Sequence, residues 1–119
     1  MDCNMRQAAF HLDDSTLKKI VDSIILEVEP EMIILFGSRA NNRSDDHSDL
    51  DLLIIEREPF DQGRSRRKEM ERIWKILSPF KVSKDILVYS RDELERRRNS
   101  LNHVLGRASR EGKILYERH

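Results

Sequence analysis

Two aspartates, Asp49 and Asp51, stand on either side of one leucine at the head of an apolar run, Leu52-Leu53-Ile54-Ile55. In an extended chain alternate side chains leave the same face, so these carboxylates project together, roughly 7 Å apart at about 3.3 Å of rise per residue. Leu50, Leu52 and Ile54 leave the other face and can anchor the strand in a core. Two carboxylates side by side against apolar neighbours repel each other and lose hydration. A divalent cation supplies the compensation. Oxygen-only ligation by few protein groups is the preference of Mg²⁺, which keeps waters and substrate phosphates as its other ligands. Such an ion neutralises phosphate oxygens and activates an attacking hydroxyl, and a second ion completes a two-metal arrangement.

Gly37-Ser38 precedes this pair, with ten residues between Ser38 and Asp49. It falls where the apolar run Met32-Ile-Ile-Leu-Phe36 gives way to a polar stretch. A glycine there lets a triphosphate approach the backbone, while the serine hydroxyl and neighbouring N–H groups can hold phosphate oxygens. Ser38 acting only as a cap for the turn is the plainer alternative. Arg39 follows and can add a cation. A third carboxylate, Asp85, lies in Val82-Ser-Lys-Asp-Ile-Leu-Val-Tyr89, where it shares a face with Ser83, Leu87 and Tyr89. If that segment lies beside 49–55, Asp85 approaches the pair and completes a triad; a surface acid paired with Lys84 or an arginine is the competing reading.

The elements that must position these residues follow from periodicity. Leu17, Ile20, Val21, Ile24, Ile25 and Val28 recur at helical spacing after Asp14 or Ser15, and Pro30 ends that helix. The continuous apolar run to Phe36 is the pattern of a strand buried on both faces. Residues 38–48 are rich in turn formers, and 49–55 form a second strand. Residues 64–77 read as a helix with Met70, Ile73, Trp74 and Leu77 on one stripe, closed by Pro79. After the third strand at 82–89 a helix starts near Asp92. Leu101, Val104, Leu105 and Ala108 continue its pattern to about Arg110, with Gly112 as a stop and Ile114-Leu-Tyr116 packing back. The order α-β-β-α-β-α predicts an α/β (α+β) domain: a short mixed sheet with helices packed against it.

Length and composition agree with one domain over 14–119, preceded by a flexible leader at 1–13. Apolar residues make up 38% and charged residues 37%, so the core is modest and the surface densely ionic. The net charge of zero hides an asymmetry: residues 1–60 hold 6 Lys/Arg against 13 Asp/Glu, and residues 61–119 hold 16 against 9. Such a split lets basic side chains fold onto a cluster of carboxylates. The lone Cys3 and the absence of Cys/His clusters exclude a disulfide scaffold or a zinc site and favour a reducing compartment. No apolar run approaches the length of a membrane span, so a soluble, cytoplasmic protein is expected, with no membrane partner. The tract Arg96-Arg97-Arg98 has no interleaved aromatics and lies among Glu93 and Glu95, a solvated helix face first and a contact for an acidic partner second. Nucleic acid is therefore not expected as the direct substrate.

Gly37-Ser38-Arg39-Ala40 followed by Ser48-Asp49-Leu50-Asp51-Leu52 resembles the signature of the polymerase-beta-like nucleotidyltransferases. The chain is most similar to their minimal members, the MNT domains paired with HEPN proteins. The resemblance covers about residues 15–116. It implies the nucleotidyltransferase fold and transfer of a nucleoside monophosphate from a triphosphate to a hydroxyl, with pyrophosphate released. It implies that Asp49 and Asp51 hold both metals, that Asp85 helps bind the catalytic metal, and that Ser38 contacts the outer phosphates. It further implies ATP as substrate, an AMP acceptor that is the partner HEPN toxin, and an antitoxin role. A non-catalytic antitoxin or regulatory subunit, and transfer to a small molecule such as an antibiotic, are the alternatives. Asn41-Asn42 stands where a glycine is common in the family's turn; asparagine tolerates left-handed backbone angles better than most residues.

Overall fold

The computed structural model describes residues 14–36, 50–61, 63–101 and 103–118. The expected leader at 1–13 lies outside them. Helix α1 (Asp14–Val28) leads into strand β1 (Met32–Phe36), which is followed by β2 (Leu50–Glu56). Helix α2 (Arg66–Leu77) then crosses to β3 (Lys84–Ser90). The chain closes with α3 (Arg91–Arg97), α4 (Val104–Glu111) and β4 (Lys113–Glu117). The sheet runs β3-β2-β1-β4, with β2 and β3 parallel and the other two pairings antiparallel. This is the expected mixed sheet, extended by a fourth strand formed from the segment expected only to pack back.

Helices cover both faces. Ile20, Val21 and Ile24 of α1 and Ile73 and Leu77 of α2 pack on Ile33, Leu35, Leu50, Leu52, Ile54, Ile86 and Val88. On the other face Leu94 of α3 and Leu105 and Ala108 of α4 pack on Met32, Ile34, Leu53 and Ile55. That double cover is why β1 and β2 read as unbroken apolar runs rather than alternating ones.

The helix boundaries have local causes. Glu29 ends α1 with φ 48°, a left-handed conformation, immediately before Pro30. Ser65 caps α2 by accepting from the Lys68 N–H, which places the start just after the expected Arg64. Ser90 and Glu93 form a reciprocal capping box at the head of α3.

One expectation is corrected. The stretch from Asp92 to Arg110 is two helices, not one. Leu101, counted into the helical stripe, is 74% exposed in the connection. His103 starts α4 anew, its Nδ1 accepting from the Leu105 N–H. The break lets α4 cross over the connection at Gly106, where a Cβ would stand 1.8 Å from the Ser100 carbonyl oxygen. The periodicity was real at Val104, Leu105 and Ala108, but the chain bends back before reaching them.

Candidate functional site

The N-terminal end of β2 brings the predicted carboxylates into view. Asp51 stands opposite Phe36 across the antiparallel pair and opposite Asp85 across the parallel pair, one row running over three strands. Neighbouring strands lie about 4.8 Å apart, and residues directly opposite each other share a face. Asp51 and Asp85 therefore open on one face, the one that carries Leu53, Leu87 and Tyr89 further along. Leu50, Leu52 and Ile54 enter the opposite core, as the alternation required. Asp51 is half-buried and Asp85 exposed, so the pair has an open side.

Lys84 does not pair with Asp85. Its ammonium donates to the carbonyls of Phe80 (3.0 Å) and Val82 (3.3 Å) and lies 5.2 Å from the centre of the Trp74 ring. Burial, and then the nearby Lys81, hold its pKa below the ordinary lysine value. No ion pair to Asp85 forms among the described residues, which removes the competing reading that it is half of a surface salt bridge with this lysine. Gly37, Ser38, Arg39 and Asp49 lie outside the described residues. Among those described, no three His, Cys, Asp or Glu side chains are grouped to hold a metal ion. The two that are described form an oxygen-only donor pair with solvent on one side, which is chemistry that suits Mg²⁺.

The opposite end of β2, about 16 Å away by strand rise, carries a site that the sequence reading missed. Glu56 ends the strand and is only 5% exposed. Its Oε1 accepts from Arg64 at 3.2 Å, while its Oε2 is buried and finds no donor among the described residues. Burial, followed by the hydrogen bond and charge of the neighbouring Glu69 carboxyl, pushes Glu56 up to about 7, with Arg64 offsetting part of the rise. The cleft here, about 320 Å³, is lined by glutamates and arginines together. The signal was an acid placed two residues beyond Ile54, on the core face.

The charge asymmetry between the chain halves is used at this end. Arg72 reaches Glu27 (2.8 Å), Arg91 reaches Glu31 (3.2 Å) and Arg64 reaches Glu56, each joining a basic residue of the second half to an acid of the first. Basic residues fold onto glutamates at this end, as the charge split allows. No helix among the described residues is long and apolar enough to cross a membrane.

Comparison with known proteins gives this geometry a family. A solved structure of a provisionally named nucleotidyltransferase from Sulfolobus solfataricus superposes with a TM-score of 0.61 at 19% identity, covering 86% of this chain and 78% of that one. A toxin–antitoxin structure with AMP-PNP superposes at 0.54 with 20% identity, over 86% of this chain and 74% of that one. The MntA-HpeT toxin–antitoxin, in a variant with two aspartates changed to glutamate, superposes at 0.50 with 19% identity, over 91% and 75%. These likenesses establish the fold. In sequence, a Methanocaldococcus jannaschii protein provisionally named a protein adenylyltransferase is 38% identical over 66 residues, 56% of this chain. The match spans 62% of that relative's length. The family model for the nucleotidyltransferase domain matches residues 15–106, which include the Gly-Ser turn, the Asp-x-Asp pair and Asp85, and the chain belongs to that family.

Proposed function

We propose that this domain, residues 14–119, transfers AMP from ATP to a hydroxyl of a partner protein, and that it is the cytoplasmic antitoxin of a pair whose toxin is of the HEPN type. The observation that carries the reading is the register of Asp51 opposite Asp85 at the open end of the sheet. An acid on each of two parallel strands has no value to the core, and both face the side on which a ligand can enter.

Asp49, Asp51 and Asp85 are the residues that would hold Mg²⁺. When bound, such ions neutralise the phosphate oxygens and lower the pKa of the attacking hydroxyl. The rest falls to the protein. Gly37 allows backbone approach to the triphosphate, and Ser38 and Arg39 bind its outer oxygens. Asp85, on the edge strand and exposed, accepts a hydrogen bond from the acceptor hydroxyl and orients its oxygen toward the α-phosphorus. The new oxygen–phosphorus bond forms as the bond to the β-phosphate oxygen breaks, and pyrophosphate leaves. Two neighbours support this reading: one holds AMP-PNP, and the other was changed at an aspartate pair spaced like Asp49 and Asp51.

The test is transfer itself. Incubation with labelled ATP, Mg²⁺ and the product of the adjacent gene labels that protein, and Asp49→Asn/Asp51→Asn abolishes labelling with the fold intact. If the double variant still neutralises the partner as well as wild type, occlusion without turnover is the function and the transfer reading is wrong.

A further inference from the structure

A second cleft, about 270 Å³, opens on the same face of the sheet as Asp85. Tyr89 lies at its base, four residues along β3 and so roughly 13 Å from Asp85. Arg66, Glu93, Arg97 and His103 are among its walls. Arg66 is held over the rings of Tyr89 (4.9 Å) and Phe60 (5.2 Å) and is ion-paired with Glu93. Its Nε is nevertheless buried without an acceptor among the described residues. His103 packs edge-on against Tyr89, ring centroids 5.8 Å apart. Its Nδ1 is occupied by the Leu105 N–H, which leaves the ring proton on Nε2, where it can be donated. Arg97 has no carboxylate partner among the described residues. Arg66 is paired with Glu93 and Arg96 with Asp92 (3.0 Å), so among the lining arginines Arg97 is the cation that a ligand can take. This is where the Arg96-Arg97-Arg98 tract meets the fold.

The topology says what passes this cleft. β1 lies beside β2 on the side away from β3. β3 is the sheet edge on the other side. A nucleotide held on the β1–β2 side leaves the β3 side for the acceptor, whose chain would run from Asp85 past Leu87 and Tyr89 into the cleft. We infer that the cleft between Arg66, Arg97 and His103 docks an acidic segment of the acceptor protein, beside the hydroxyl that receives the nucleotide. A polynucleotide fits less well, because Asp92, Glu93 and Glu95 stand among the arginines of α3. The choice of acceptor rests on the transfer reading above; the preference for acidic peptide rests on the cleft.

Fluorescence anisotropy of a labelled short peptide, one tyrosine flanked by glutamates, reads the docking directly. The same peptide with lysines, and a labelled oligouridylate, serve as controls. The wild-type chain is expected to bind the acidic peptide and not the basic one. Arg97→Glu should weaken that binding about tenfold through like-charge contact. Arg97→Gln, which leaves helix α3 without a reversed charge at its end, should weaken it severalfold. Lys18→Glu, a charge reversal on α1 over the other face of the sheet, should leave it unchanged. Peptide binding equal in wild type and both Arg97 variants overturns the inference, as does tighter binding of the oligouridylate. ATP and Mg²⁺ titrated into the same preparations read the transfer site separately. Loss of nucleotide binding with peptide binding intact counts against the transfer reading alone, and the reverse pattern counts against the cleft alone.

Discussion

Replacing Glu56 by glutamine should make the fold more stable at alkaline pH while changing little at pH 5. Glu56 is enclosed at the end of β2, with Arg64 on one oxygen and the Glu69 carboxyl as its other polar neighbour. Its pKa rises from 4.5 in the unfolded reference to about 7 in the fold. A raised carboxyl pKa means the folded state binds this proton more tightly than the unfolded chain does. The stabilisation is complete below pH 4.5 and is lost as pH climbs through about 7. The displacement corresponds to a ceiling of about 3 kcal/mol, and because Glu56 is coupled to its neighbours we expect about 1–3 kcal/mol. Glutamine is the neutral isostere of the protonated acid: its amide can donate to Glu69 while its oxygen still accepts from Arg64. Urea unfolding of both proteins across pH 4 to 9 reads Glu56 with its immediate neighbours, since titrating groups that do not interact with it cancel in the difference. Wild type should lose stability relative to Glu56→Gln as pH rises above 4.5, with the loss levelling off as pH passes about 7. Parallel curves, or a variant less stable at every pH, would refute the account of a carboxyl whose pKa is raised by burial.

Other outcomes follow from named contacts. Asp85→Asn should lower AMP transfer by at least about a hundredfold with unchanged thermal stability, measured with labelled ATP; retention of activity removes Asp85 from the site. EDTA should abolish transfer and added Mg²⁺ restore it, read in the same assay. Gly106→Ala forces a methyl against the Ser100 carbonyl and should cost about 3 kcal/mol or more in denaturant unfolding. Glu29→Gly relieves the left-handed strain before Pro30 and should stabilise by about 1 kcal/mol in the same measurement.

The parts of the fold that depend on local pattern could be read directly from the residues. The alternation at Leu50, Asp51 and Leu52 assigned each side chain to a face, and the core contents match it. Asp85 was placed beside Asp51 by strand order alone, and the parallel register puts them directly opposite. The reading stopped where the chain's geometry depended on contacts between distant segments. Leu101 looked like a continuation of the helix because apolar spacing does not reveal a backbone crossing, and the crossing at Gly106 depends on the carbonyl of Ser100. The Glu56–Glu69 pair was hidden for the same reason: an acid ending one strand and an acid within a helix become neighbours only after α2 folds across the sheet. The basic cleft likewise gathers residues from α2, β3, α3 and α4 that no sequence window contains.

Lys84 has a consequence for anyone who lengthens or shortens this chain. Parallel strands have no hairpin turn to dictate their alignment, so β3 must find its place beside β2 by other means. The Lys84 ammonium, lodged between the carbonyls of Phe80 and Val82 and the Trp74 ring, fixes the strand's entrance against α2, and the Leu50 N–H donating to the Ser83 carbonyl (2.8 Å) ties that entrance to β2. A single-residue slip would turn every β3 side chain over and carry Asp85 to the face packed by α1 and α2. Insertions between α2 and Lys84 therefore threaten the spacing of acids on a strand they never touch, whereas residues added beyond β4 leave it alone.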